Sequence, residues 1–133
     1  MKGHIVAMGV FKMSVQPGDV FYCSWGYDQT NYDYVVVNSV SPTGKTVLCQ
    51  RAAWDNIPDH DGSHFTQVEQ RPRAEGFGDE FRLQVRQHYS GEGVTLVGSY
   101  PFCGDGTGSR RRGYFSQWDG ERSFFETDPV FGH

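Results

Sequence analysis

Lysine is scarce in this chain: Lys2, Lys12 and Lys45 stand against nine arginines. The formal net charge is −4, so there is no global basic field to hold a nucleic-acid backbone, and an extended nucleic acid is not an expected partner. Any anion must be bound locally. Cysteine is also sparse. Cys23, Cys49 and Cys103 are odd in number, widely spaced and without a C-x-x-C pair, which argues against a secreted disulfide framework and against a zinc knuckle. They read as free thiols in a reducing compartment. No apolar run approaches the about 18 residues of a membrane span, and the N-terminus lacks a signal-peptide core. A soluble intracellular protein without a membrane partner is expected. Repeats, linkers and a long helical period are missing too.

What remains points to strands. A chain of 133 residues is about one domain. Its hydrophobic content is 37% but 15% of the chain is aromatic, so much of the core volume must come from Phe, Tyr and Trp. Seventeen glycines and six prolines suit tight turns between short elements. The expected fold is all-β or β-rich: a small single-domain antiparallel barrel or curled sheet over residues 1–133, of which an SH3-like barrel is one form, with long loops. Residues 1–16 fit either a strand or a loosely docked N-terminal arm.

Along the chain, Pro17-Gly18-Asp19 signals a turn, and Val20 to Trp25 reads as a strand. Tyr34 to Val40 is a second strand, whose three consecutive valines imply burial on both faces. Ser41-Pro42-Thr43-Gly44 turns it into a third, Lys45 to Arg51, completing an antiparallel meander. Ala52 to Gly62 loses periodicity and reads as a loop. His64 to Gln70 reads as a short strand, and Arg71 to Asp79 as a polar connector. Phe81 to Arg86 alternates strictly, as a half-buried strand does, and Val94 to Val97 pairs back. Tyr114 to Trp118 and Ser123 to Glu126 suggest a last hairpin around Asp119-Gly120.

Few stretches carry chemistry. Thr43-Gly44-Lys45-Thr46 is not a phosphate loop, because Ser39 stands where that motif needs glycine and a β-branched run follows instead of a helix. Asp59, His60, Asp61 and His64 could bind a metal or act as an acid/base pair, but nothing completes the set, so a solvated loop is expected and no metal or other cofactor. Gly104 to Ser109 is glycine-rich and precedes Arg110, Arg111 and Arg112. Glycines let backbone N–H groups approach an anion, and arginines present planar donors matched to phosphate. In a strand, however, Arg111 would face away from its two neighbours. No nucleophile elbow and no cysteine–histidine partnership is visible.

The richest stretch is the loop after Trp25. Trp25 and Tyr27 could stack on a planar ligand while Asp28, Gln29 and Asn31 read its edge. Equally, the rings could plug the core while the polar side chains bond the loop's own backbone.

Ser24-Trp25-Gly26-Tyr27-Asp28-Gln29-Thr30-Asn31, then Asp33 and Tyr34, resembles an uncharacterised family of small phage and mobile-element proteins with the signature S-W-G-Y-D-Q-T-N-x-D-[FY]. Gly18-Asp19-Val20-Phe21 is similar to the family's lead-in, and Trp118-Asp119-Gly120 with Glu126-Thr127 to its closing pattern. The usual Phe-Tyr-Gln after the signature is here Tyr34-Val35-Val36, and Asp128 replaces the aromatic that follows the closing Thr. The resemblance implies an accessory protein in a host cytoplasm and brings no activity with it.

Together these features suggest a non-enzymatic binding protein. The ligand-binding candidates are Trp25, Tyr27, Asp28, Gln29, Asn31, Arg110, Arg111, Arg112 and Trp118, and the ligand is a nucleotide-like small molecule sequestered to blunt host defence. The alternatives are a protein–protein inhibitor or adaptor acting on a host protein, and a small metal-dependent hydrolase built on Asp59, His60, Asp61 and His64. β-edges and exposed aromatics would also suit a homodimer.

Overall fold

The computed structural model describes residues 14–25, 30–58, 67–87, 93–102 and 109–127. Every regular element among them is a strand: β1 (Val20–Trp25), β2 (Asn31–Val40), β3 (Thr46–Ile57), β4 (Gln67–Gln87), β5 (Val94–Pro101), β6 (Arg110–Gln117) and β7 (Phe124–Thr127). All pairings are antiparallel in a single sheet of order β3-β2-β1-β6-β5-β4-β7. β3 also pairs with β4, so the first six strands close a ring of hydrogen bonds and the sheet is curled on itself. No helix among the described residues is long and apolar enough to cross a membrane.

The register sorts side chains into an inside and an outside, because residues directly opposed across a pair share a face. Inside lie Phe21, Cys23, Val35, Val37, Val47, Cys49, Leu83, Leu96, Tyr100 and Phe115, all buried. Outside, Val20, Tyr34, Val36, Ala52 and Phe124 form a second buried cluster with Tyr22, Tyr32, Trp54 and Trp118 packed against it. That cluster exists because β7 folds over the outer face of β2. Val35, Val36 and Val37 are therefore buried on both faces, as the three-valine run requires. Each fully buried side chain of this size contributes about 1.5–3 kcal/mol.

Turn chemistry fixes the connections. Gly44 takes φ +74° in the β2–β3 turn, where its N–H bonds Ser41 O at 2.9 Å. At the last turn, Asp119 Oδ1 accepts the N–H groups of Glu121 and Arg122 at 2.8 and 2.7 Å, which holds its carboxyl below the usual range.

Three sequence expectations need correction. β3 runs on to Ile57, through residues expected to be a loop, and pairs with the early part of β4. Register shifts between Cys49 and Arg51 and between Ala52 and Trp54 break the period of two that would have shown it. The polar stretch Arg71–Asp79 is strand, not connector; residues 74–80 are exposed, so no alternation marks them. Finally, β6 and β7 flank the Asp119-Gly120 turn but do not pair: β6 joins β1 and β5, and β7 joins β4. Residues 1–13 of the expected arm over 1–16 and the Asp59–His64 group fall outside the described residues; of 14–16, Val15 is buried against the interior cluster and the Gln16 N–H bonds Asp19 Oδ2 at 2.9 Å.

Gly113 gives a test of the close packing inside the ring. A Cβ there would lie 2.5 Å from Phe115 Cε1 and 2.8 Å from Tyr100 Cε1. Gly113→Ala is expected to destabilise by about 1–3 kcal/mol in urea denaturation; an unchanged midpoint would contradict this packing.

Candidate functional site

Period two carries Cys23 and Trp25 of β1, and Asn31 and Asp33 of β2, to the inner face, paired as Cys23↔Asp33 and Trp25↔Asn31. They sit at the end of the ring where β1 passes to β2 and β5 passes to β6. Asp33 is only 4% exposed. Arg51 of β3 donates from Nη2 to Asp33 Oδ1 at 2.9 Å and from Nη1 to Pro101 O at 3.1 Å. The Tyr100 hydroxyl donates to Asp33 Oδ2. Cys23 Sγ lies 3.6 Å from that hydroxyl, whose proton is directed at Asp33, so the thiol is the donor to Tyr100.

Electrostatics follow from burial. Desolvation pushes the Asp33 carboxyl above its usual range, and the positive charges of Arg51 and Arg111, with the Tyr100 hydrogen bond, offset this only in part. Burial lifts the Cys23 thiol to about 11 and the Cys49 thiol to about 12, so both are protonated and weakly nucleophilic at neutral pH. Burial likewise raises the Tyr100 phenol, helped by its bond to Asp33.

Arg111 completes the group. It enters the interior from β6, with Cζ 4.9 Å from the Trp25 ring centre and 5.2 Å from that of Phe102. The two rings meet edge-on at 6.4 Å and 82°. Asn31 Nδ2 and Arg51 Nε are buried there without a hydrogen-bond partner, and the buried Trp25 Nε1 is aimed at the Asp33 carboxylate without closing a full hydrogen bond. The assembly thus combines two guanidinium groups against one carboxylate with two unmatched N–H donors and a third aimed at that carboxylate. Its chemistry favours an acceptor-rich anion.

The structure brings Trp25, Asn31 and Arg111 together, and sequence reasoning missed Asp33, Arg51, Tyr100 and Phe102 beside them. One signal was available for Asp33: a carboxylate on the same alternation as Cys23, Phe21 and Val35 is an inward one. Arg110 and Arg112 point to the outer face, where they bond Ser99 and the Tyr114 hydroxyl. Trp118 is elsewhere as well. It packs on the outer cluster, donates to Arg122 O at 2.8 Å, and lines a cleft of about 230 Å³ with Asp19 and Gln117. Tyr27, Asp28 and Gln29 lie outside the described residues. Among the described residues no three His, Cys, Asp or Glu side chains are grouped as metal ligands.

The outer layer ties the start of β2 to Glu126-Thr127. Glu126 Oε2 accepts the Tyr32 N–H at 3.0 Å, and Thr127 Oγ1 accepts that of Thr30 at 2.9 Å. Thr127 N–H in turn bonds Thr30 O at 2.9 Å. Glu126 Oε1 accepts from Gln70 Nε2, and Gln70 Oε1 accepts from the Tyr34 hydroxyl. Glu126-Thr127 therefore fastens the strand that carries Asn31 and Asp33.

Burial raises the Glu126 carboxyl above its usual range, against the pull of the Tyr32 N–H and Gln70. A carboxyl raised on folding favours the folded state while protonated and loses that advantage as pH climbs through its folded value. The stability lost in Glu126→Gln should accordingly be largest near pH 4 and shrink toward about pH 8. Thermal melts of both proteins across that range measure it; a loss that grows with pH would contradict the assignment.

Set against protein-family models, curated proteins and solved structures, the chain matches none.

Proposed function

We propose that this is a non-enzymatic binding protein that takes an anionic, acceptor-rich planar small molecule, derived from a nucleotide, at the Trp25–Asp33–Arg111 end of the ring. One observation carries the reading: Arg111 stacked on Trp25 and Phe102 beside two buried N–H donors, of Asn31 and Arg51, that have no acceptor, and a third, of Trp25, aimed at Asp33. Each such donor left unmatched costs about 1–3 kcal/mol, and a ligand presenting carbonyl, ring-nitrogen or phosphate acceptors recovers it. Two guanidinium groups facing one carboxylate leave net positive charge for the anion. The protonated thiols of Cys23 and Cys49 supply no nucleophile for turnover. In a phage or mobile-element setting, as the signature's resemblance implies, such a protein would act in the host cytoplasm by sequestering a nucleotide-derived defence signal.

A second reading, an inhibitor or adaptor acting on a host protein, is favoured by Phe77, a large apolar side chain 44% exposed on β4. It predicts a stoichiometric protein partner released by Phe77→Ser and unaffected at Arg111.

Isothermal titration with nucleoside mono- and diphosphates and cyclic dinucleotides tests the first reading. At least one ligand should bind, and Arg111→Gln should weaken it about tenfold or more, about 1.4 kcal/mol. Trp25→Phe, which keeps a ring but removes the N–H, should weaken it by a similar step. Equal affinity in both folded variants would overturn the site.

A further inference from the structure

The opposite face of the same strands carries a second set of arginines. We propose that the outer face of β4, β5 and β6 is a platform for a single-stranded nucleic acid, with arginines on its phosphates and Tyr114 stacked on an unpaired base. The alternation that turns Arg111 inward turns Arg110, Arg112 and Tyr114 outward, and the β5–β6 register sets Ser99 beside Arg112 and Val97 beside Tyr114. On β4, Arg82, Gln84 and Arg86 share that outer face, with Gln84 opposite Val97. Between them runs a groove of about 450 Å³ floored by Val97 and lined by Thr46, Arg82, Gln84, Arg86 and Arg112. Arg82 and Arg86 are roughly 13 Å apart along their strand, and Arg112 is roughly 10 Å away across β5.

Among the described residues no ion pair uses these charges. The ion pairs among the described residues are Arg51–Asp33, Arg73–Asp55 and Arg73–Glu75, and none involves this face. Arg86, Arg110 and Arg112 bond the neutral Gln84, Ser99 and Tyr114. Glu80, the carboxylate two residues before Arg82, accepts from Asn38 and keeps its charge, so one carboxylate at the edge of this face stands against the arginines. An acidic chain therefore presents four cations on one sheet face. Tyr114 stands among them 62% exposed, with Arg112 Cζ 5.6 Å from its ring centre. A ring so exposed and flanked by guanidinium groups can stack on a base, but only if that base is free of a duplex. Cations on two strands, β4 and β6, spread to either side of β5, match a chain of phosphates better than a single one. Because the whole molecule is negative, this attraction acts at contact distance and not by long-range steering. None of the inward residues takes part on this face, so it works independently of the ligand proposed above.

Fluorescence anisotropy with labelled oligo(dT) and the matching duplex tests it. Binding of the single strand should fall about 50-fold between about 50 and 200 mM salt, from roughly 0.7 released counterions per phosphate at four arginines. Arg82→Gln with Arg86→Gln should halve that salt slope. Tyr114→Ala should keep the slope and weaken the single strand about fivefold or more. All these side chains are exposed, and melting temperatures would confirm that the variants fold. No binding at low salt, an unchanged slope in the double variant, or a duplex bound as tightly as the single strand would each overturn the proposal.

Discussion

A single buried carboxylate, Asp33, ties one end of the ring together. Arg51 reaches it from β3 and Tyr100 from β5, while Cys23 follows through the Tyr100 hydroxyl, so three separate strands converge on one β2 side chain. Moving a carboxylate into the interior costs several kcal/mol even after relaxation. The raised Asp33 carboxyl, with burial as its largest cause, shows that attraction to Arg51 and Arg111 does not fully offset this. A fold gains little stability from such an arrangement. It does gain a fixed direction for Arg51 and a positive environment beside Trp25, which suits a site more than a core.

The two layers divide the labour. The interior cluster closes the ring through Phe21, Val35, Leu96, Tyr100 and Phe115. The outer cluster, capped by Phe124, locks the ends of β1 and β2 from behind: Arg122 stacks 4.6 Å from the Phe124 ring centre and donates to the Tyr22 hydroxyl at 2.9 Å. Glu126 and Thr127 then hold Thr30 and Tyr32. Asn31 and Asp33 are thereby gripped from the outer face while pointing inward. Contacts on the opposite face thus fix inward side chains on short strands.

Legibility in the sequence followed local chemistry. The meander of β1, β2 and β3 was readable from Pro17-Gly18, the valine run and Ser41 to Gly44, and the β4–β5 pair from the alternation of Phe81 to Arg86. The splitting of Arg110, Arg111 and Arg112 onto two faces was also readable, because a strand permits nothing else. What was hidden depends on pairing at a distance. The length of β3 vanished behind two register shifts, and β7 took β4 as its neighbour although Asp119-Gly120 makes a sound turn after β6. The Asp33–Arg51–Tyr100 network joins residues 18 and 67 positions apart, a separation no local pattern encodes.

Native mass spectrometry of the protein purified from the cells that carry it, before and after denaturation, bears most directly on the central claim. A small species with nucleotide absorbance is expected to travel with the folded wild-type protein, to be released on denaturation, and to be depleted in Arg111→Gln. A bare polypeptide mass for the wild type, or a small molecule retained equally by that variant, would contradict it and return Trp25 and Arg111 to a purely structural role.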